Sequence, residues 1–123
     1  MTDSPLALAF LGDAVFELYV REAALAEGDL PVRKLNEYTE RFSGAVKQAA
    51  LLDLLVPLLT PEEADIVRRC KNAKPRRIPA SCSAAEYCKA TALEGLFGSL
   101  WQSGRQERLQ ELFAAVCRRH TDS

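Results

Sequence analysis

The 123-residue sequence holds one histidine, His120, close to its C-terminal end. Triads that rely on an imidazole base, and histidine-based zinc chemistry, therefore have nothing to work with. Of the four cysteines, Cys70, Cys82, Cys88 and Cys117, no two form a CxxC pair. With no secretory leader in view, they read as reduced thiols of a cytoplasmic protein, a zinc site being the lesser alternative. No apolar run approaches the roughly 20 uncharged residues that span a bilayer, so no membrane partner is expected. An alternating β-branched run is also missing, as are repeats and low-complexity tracts, which argues against a sheet, a solenoid or a disordered chain. What remains is an ordinary globular balance of 48% hydrophobic and 27% charged residues. The expectation is one domain over residues 1–123 with an ordered core over 5–120.

The pattern that is present is helical throughout. Ala, Leu, Glu, Arg and Gln dominate, all good helix formers. Pro5 opens a long first helix over Leu6–Ala26, with Gly28 where a C-terminal cap belongs. A second helix is expected over Val32–Phe42. Ser43 is expected to cap a third, from Gly44 to Val56, ended by Pro57. Thr60-Pro61-Glu62-Glu63 is a capping box that opens a helix to Lys71. Ala73 to Cys82, with Pro75 and Pro79, reads as a basic loop. Ser83 to Glu86 repeats the capping box and opens a helix to Ser103. After Gly104 a last helix runs to Arg119. The fold class is all-α, with about six helices.

Two carboxylates stand in unusual places. Asp13 lies within Phe10-Leu11-Gly12-Asp13-Ala14-Val15, on a helix apolar around its whole circumference. Such a helix is normally covered on several sides, and an ionised carboxylate there is costly unless it is paired or bound to metal. Gly12 beside it suggests close approach of another backbone. Glu17 and Arg21 follow on the same face. They are either a self-neutralising pair or accessory groups of the site. The second anomaly is Glu94, within Leu93-Glu94-Gly95-Leu96-Phe97-Gly98. Alone, it could be a core glutamate bridged to an arginine. Together the two acids make a matched pair, one per helix, each beside glycine. Packed side by side, such helices would form a hard-oxygen site suited to Mg²⁺, which can activate water for phosphodiester hydrolysis.

Charge is unevenly spread. Arg68 to Arg77 holds six basic residues and no acidic one, which leaves ten basic against seventeen acidic residues in the rest of the chain. Arg68, Arg69 and Lys71 also suit a helix C-terminus. Lys74, Arg76 and Arg77 lie beyond it, where phosphate contact is the better explanation. No aromatic is interleaved, so a duplex backbone is favoured over stacked single strands. The acidic remainder is a candidate surface for a basic partner such as a ribosomal protein.

Phe10-Leu11-Gly12-Asp13-Ala14-Val15 resembles the signature of ribonuclease III domains, and Leu93-Glu94-Gly95-Leu96-Phe97-Gly98 resembles their second acidic motif. Tyr19-Val20-Arg21, the short length and Lys71-Asn72-Ala73-Lys74 resemble the compact bacterial branch of that family, the Mini-ribonucleases III. The resemblance implies an all-α endonuclease and an obligate symmetric dimer. It also implies Mg²⁺-dependent cleavage of double-stranded RNA, in the trimming of 23S ribosomal RNA precursors. By position, Asp13 and Glu94 would be the catalytic and metal-binding acids, and Lys71, Asn72, Lys74, Arg76 and Arg77 would contact RNA. Larger members carry further acids where this chain has Ala9 and Thr91. That departure leaves open how many metals bind, and it makes a catalytically inactive duplex-RNA-binding protein the alternative.

Overall fold

In the computed structural model, residues 1–73 and 77–122 are described, with side chains as far as Arg118. Ser4 caps the first helix, α1 (Pro5–Ala26), its Oγ accepting from the Ala7 N–H at 3.4 Å. Gly28, at φ +133°, releases the chain from that helix as expected. Then follow α2 (Val32–Glu40), α3 (Ala45–Leu55) with a 3₁₀ turn (Val56–Leu58), α4 (Pro61–Lys71), α5 (Ala84–Gln102) and α6 (Gln106–Asp122). There is no strand among the described residues, and no described helix is long and apolar enough to cross a membrane.

Both capping boxes form. The Thr60 hydroxyl accepts from the Glu63 N–H at 3.2 Å while the Glu63 carboxylate accepts from the Thr60 N–H at 3.0 Å. Ser83 and Glu86 do the same at 3.1 and 2.9 Å. Four boundaries differ from expectation. Helix α2 stops at Glu40, because the Arg41 and Phe42 N–H groups close back onto Tyr38 and Thr39 in three-residue turns. Phe42 thereby turns into the core at 2% exposure. Ser43 does not cap α3. Its hydroxyl donates to the Thr39 carbonyl at 3.0 Å, and the N-cap is Gly44 at φ +92°, a backbone state that glycine adopts without strain. Pro57 does not stop the chain abruptly but sits inside the 3₁₀ turn, where its fixed φ is tolerated. Helix α6 also runs past Arg119, to Asp122.

The core is organised around α5. Ala92, Leu93, Leu96 and Phe97 are all fully buried, and α1, α3, α4 and α6 pack against this helix. Phe16 of α1 meets Phe97 and Phe113 edge-on at 5.2 and 5.9 Å, and Phe42 meets Phe113 at 6.2 Å. A buried ion pair, not foreseen from the sequence, ties α6 to α4. Arg108 donates twice to Glu63 at 2.9 Å and once to the Leu58 carbonyl at 2.7 Å. This arrangement leaves α5 as a fixed post with α1 crossing it.

Candidate active site

Helices α1 and α5 cross in backbone contact. A Cβ on Gly12 would overlap the Glu94 carbonyl and stand 2.8 Å from the Gly98 nitrogen. A Cβ on Gly98 would overlap the Leu8 carbonyl and stand 3.0 Å from the Gly12 nitrogen. The close approach expected at Gly12 is therefore realised, and Gly98 is its counterpart. Gly95 instead faces α4, where a Cβ would meet the Cys70 side chain.

That crossing brings the two singled-out acids together. Asp13, exposed on α1, lies beside the half-buried Glu94 of α5. The Glu94 carboxyl is pushed up to about 8, first by burial, then by its hydrogen bond to Asp13 and by the charge on that neighbour. A protonated Glu94 donates to the Asp13 carboxylate. No cation among the described residues forms an ion pair with Glu94, so its reading as a core acid bridged to an arginine does not hold. Two oxygen-donor carboxylates held together without a counter-charge are the donor set that a hard divalent cation matches.

Helix α1 is covered on only part of its circumference within the protomer. Phe10 is 84% exposed, and Leu6, Ala14, Leu18 and Leu25 are exposed with it. Asp13 sits at the edge of this open apolar face. Glu17 and Arg21 pair with each other at 2.8 Å on the exposed surface, the self-neutralising arrangement. Neither joins Asp13 and Glu94, and no group of three or more metal-ligating side chains occurs among the described residues. Ala9 and Thr91 are each 8% exposed, and the Thr91 hydroxyl donates to the Tyr87 carbonyl at 3.0 Å.

In the basic segment, Arg68 and Arg69 are held by Asp65 at 2.6 and 3.3 Å, a structural employment on the α4 surface. Lys71 ends α4 and Asn72 caps it, its N–H donating to the Arg68 carbonyl at 3.1 Å. Lys71, Asn72 and Arg77 are exposed, while Lys74 and Arg76 lie outside the described residues. Sequence reasoning missed Cys70, a fully buried thiol of α4 that backs α5 at Gly95. Only its position on the inner face of the short α4 helix could have signalled it.

The chain matches the Ribonuclease III domain family over residues 6–105. It is 44% identical over 116 residues to a Mini-ribonuclease 3 of Symbiobacterium thermophilum, covering 94% of this chain and 89% of that protein. A Mini-ribonuclease 3 of Thermoanaerobacter is 40% identical over 109 residues, 89% of this chain and 77% of that one. A crystal structure of a Fusobacterium nucleatum protein superimposes with a TM-score of 0.86 at 32% identity, covering 96% of this chain and 99% of that one. A family match over most of the length, relatives that run nearly end to end and a shared six-helix fold together establish that the chain belongs to the ribonuclease III family, as an RNA endonuclease whose relatives are Mini-ribonucleases 3.

Proposed function

We propose that this endonuclease hydrolyses double-stranded RNA with Mg²⁺ held jointly by Asp13 and Glu94, and that it works as a homodimer in the cytoplasm on 23S ribosomal RNA precursors. The observation that carries the reading is the Asp13–Glu94 pair itself, two carboxylates from different helices with no ion-pairing cation among the described residues. A divalent cation bound there supplies Lewis-acid stabilisation of phosphate charge and lowers the pKa of water. The protein's own part is positional. Asp13 presents an exposed oxygen pair to solvent and substrate, and Glu94 holds a half-buried one behind it. As a ligand to that cation Glu94 would have to be ionised, as Asp13 would.

The basic segment supports duplex binding. Lys71 at the end of α4, its cap Asn72 and Arg77 beyond the helix are exposed, and with Lys74 and Arg76 they are the residues proposed to contact phosphate. The dimer is supported by the open face of α1. Phe10 at 84% exposure, with Leu6 at 48%, Leu18 at 45% and Leu25 at 63%, is more contiguous apolar surface than a lone soluble protomer usually leaves uncovered. A two-fold axis through that face would pair one site with each strand of a duplex. The four cysteines, read as reduced thiols, suit a reducing compartment. The net acidic surface outside the basic segment would accept a basic partner such as a ribosomal protein.

Cleavage of a long RNA duplex in Mg²⁺, compared between wild type and Asp13→Asn, tests the core of this. Each tenfold in rate is about 1.4 kcal/mol, and losing several kcal/mol of charge stabilisation predicts a fall of about 10³-fold or more. Equal rates in the two proteins would refute the assignment. Duplex binding without cleavage in either Mg²⁺ or Mn²⁺ would point instead to a binding protein that has lost turnover, with Ala9 and Thr91 as the reason.

A further inference from the structure

The acids of the site project from two helices whose backbones touch. Asp13 directly follows Gly12, and Glu94 stands one turn before Gly98. What a methyl group would strike at each glycine differs in kind. At Gly98 it would overlap the Leu8 carbonyl oxygen and crowd the Gly12 nitrogen at 3.0 Å. Backbone atoms of a neighbouring helix cannot rotate away, so α1 as a whole would have to move. At Gly95 it would meet the Cys70 Sγ and, at 3.2 Å, the Cys70 Cβ. The nearer obstacle is a side-chain sulfur, which Cys70→Ala removes, and the Cβ left at 3.2 Å has only to give by a few tenths of an ångström. Helix α5 therefore has a hard seam toward α1 and a soft seam toward α4.

Ordinary helix pairs are held about 8–10 Å apart by intervening side chains, which can adjust. Here the spacing of the two carboxylate-bearing backbones is set by main-chain contact. We propose that Gly98 is a positioning residue of the active site. By admitting the Leu8–Gly12 backbone to direct contact, it fixes the distance across which Asp13 and Glu94 share one divalent cation. Gly12 is its partner in the seam, and Gly95 has no part in this. The inference rests on the reading of Asp13 and Glu94 as joint metal ligands. A displacement of order 1 Å at a catalytic constellation costs about 10²-fold in rate, so a single added methyl at Gly98 is enough to register.

The test is Mn²⁺ binding to the full-length chain, followed by the electron paramagnetic resonance signal of free Mn²⁺, beside duplex cleavage kinetics. Gly98→Ala is expected to weaken Mn²⁺ binding about tenfold or more and to lower kcat about 10²-fold, with KM for the duplex within about threefold of wild type. Gly95→Ala/Cys70→Ala, which trades volume across the soft seam, is expected to bind Mn²⁺ as wild type does. Wild-type affinity in Gly98→Ala, or an equal loss in the Gly95→Ala/Cys70→Ala protein, would overturn the proposal.

An arm-length exchange keeps the question open to refutation should Gly98→Ala not fold. Asp13→Glu and Glu94→Asp each alter the combined reach by one methylene and are expected to weaken Mn²⁺ binding. Over a fixed seam, Asp13→Glu/Glu94→Asp restores that reach and recovers affinity to within a few-fold of wild type. Losses that simply add in the exchanged protein would also overturn the proposal. Failure of the underlying reading looks different. It is a wild type that binds no Mn²⁺, or one whose binding is unchanged by Asp13→Asn.

Discussion

Two glutamates of this protein lie on adjoining helices and are driven in opposite directions. Glu63, at the start of α4, is 1% exposed, yet its carboxyl is held below the ordinary carboxylate range. The hydrogen bonds from Arg108 are the largest cause and outweigh burial. Glu94, on α5, has its carboxyl pushed up to about 8, first by burial and then by the acid beside it, Asp13, where Glu63 has an arginine. Burial alone does not decide the charge state of a carboxylate. The partner does. Glu63 has every oxygen occupied, by Arg108 and by the Thr60 N–H, and serves the fold. Glu94 has no ion-pair partner among the described residues. A compensated acid is a strut, and an uncompensated pair is a site.

The comparison can be broken most sharply at Glu94. Glu94→Gln removes one of two carboxylates, and duplex cleavage is expected to fall about 10³-fold, equivalent to about 4 kcal/mol of transition-state stabilisation. Gel-based single-turnover kinetics would show it, and a rate within tenfold of wild type would contradict it. The mirror experiment is Arg108→Met, which strands the Glu63 charge in the interior. Removing one partner of a buried pair costs about 3 kcal/mol or more. Urea denaturation should register that loss, with cleavage per folded molecule retained.

The two acids also predict opposite responses to pH in the metal-free protein. Glu94 has a folded pKa above its unfolded one, so the stability tied to its neutral form is complete below pH 4.5 and is lost as the pH rises to about 8. Allowing for its partial exposure, the decline is roughly 2 kcal/mol. Glu63 has a depressed folded pKa, so its contribution is present above pH 4.5 and is lost only on acidification below it. Thermal melts in chelator from pH 5 to 8.5 should show the first effect, and Glu94→Gln should flatten it. A wild-type curve already flat over that range would refute the assignment of Glu94. The smallest expected effect is at the cap. Thr60→Ala removes the hydroxyl that accepts from Glu63 and should cost about 1 kcal/mol in the same denaturation assay.

The open face of α1 contrasts with the other long helix, α5. Leu93, Leu96 and Phe97 of α5 are fully buried, whereas Phe10 of α1 is 84% exposed. From composition the two helices look alike, each apolar around much of its circumference. Hydrophobic periodicity tells that a helix is covered, but not whether by its own chain or by another. The sequence left open whether the apolar surroundings of Asp13 are core or interface, and within the protomer that neighbourhood is half open.

The sequence by itself determined the all-α class, the six helices and both capping boxes. These depend on side chains reaching only three or four residues along their own chain. It also singled out Asp13 and Glu94, because a lone acid among apolar residues is costly wherever it lies, and it marked Gly12 as a place of close approach. Only the tertiary structure decided that Gly12 meets Gly98, and of the two roles left open for Glu17 it kept the local pair with Arg21. It alone decided that Glu63 is neutralised by an arginine 45 residues away and that Ser43 serves α2, not α3. The reason is range. Capping and periodicity are local, whereas the charge state of a carboxylate depends on whichever group the fold brings within a few ångströms, and that is settled by how α1 and α6 pack around α5.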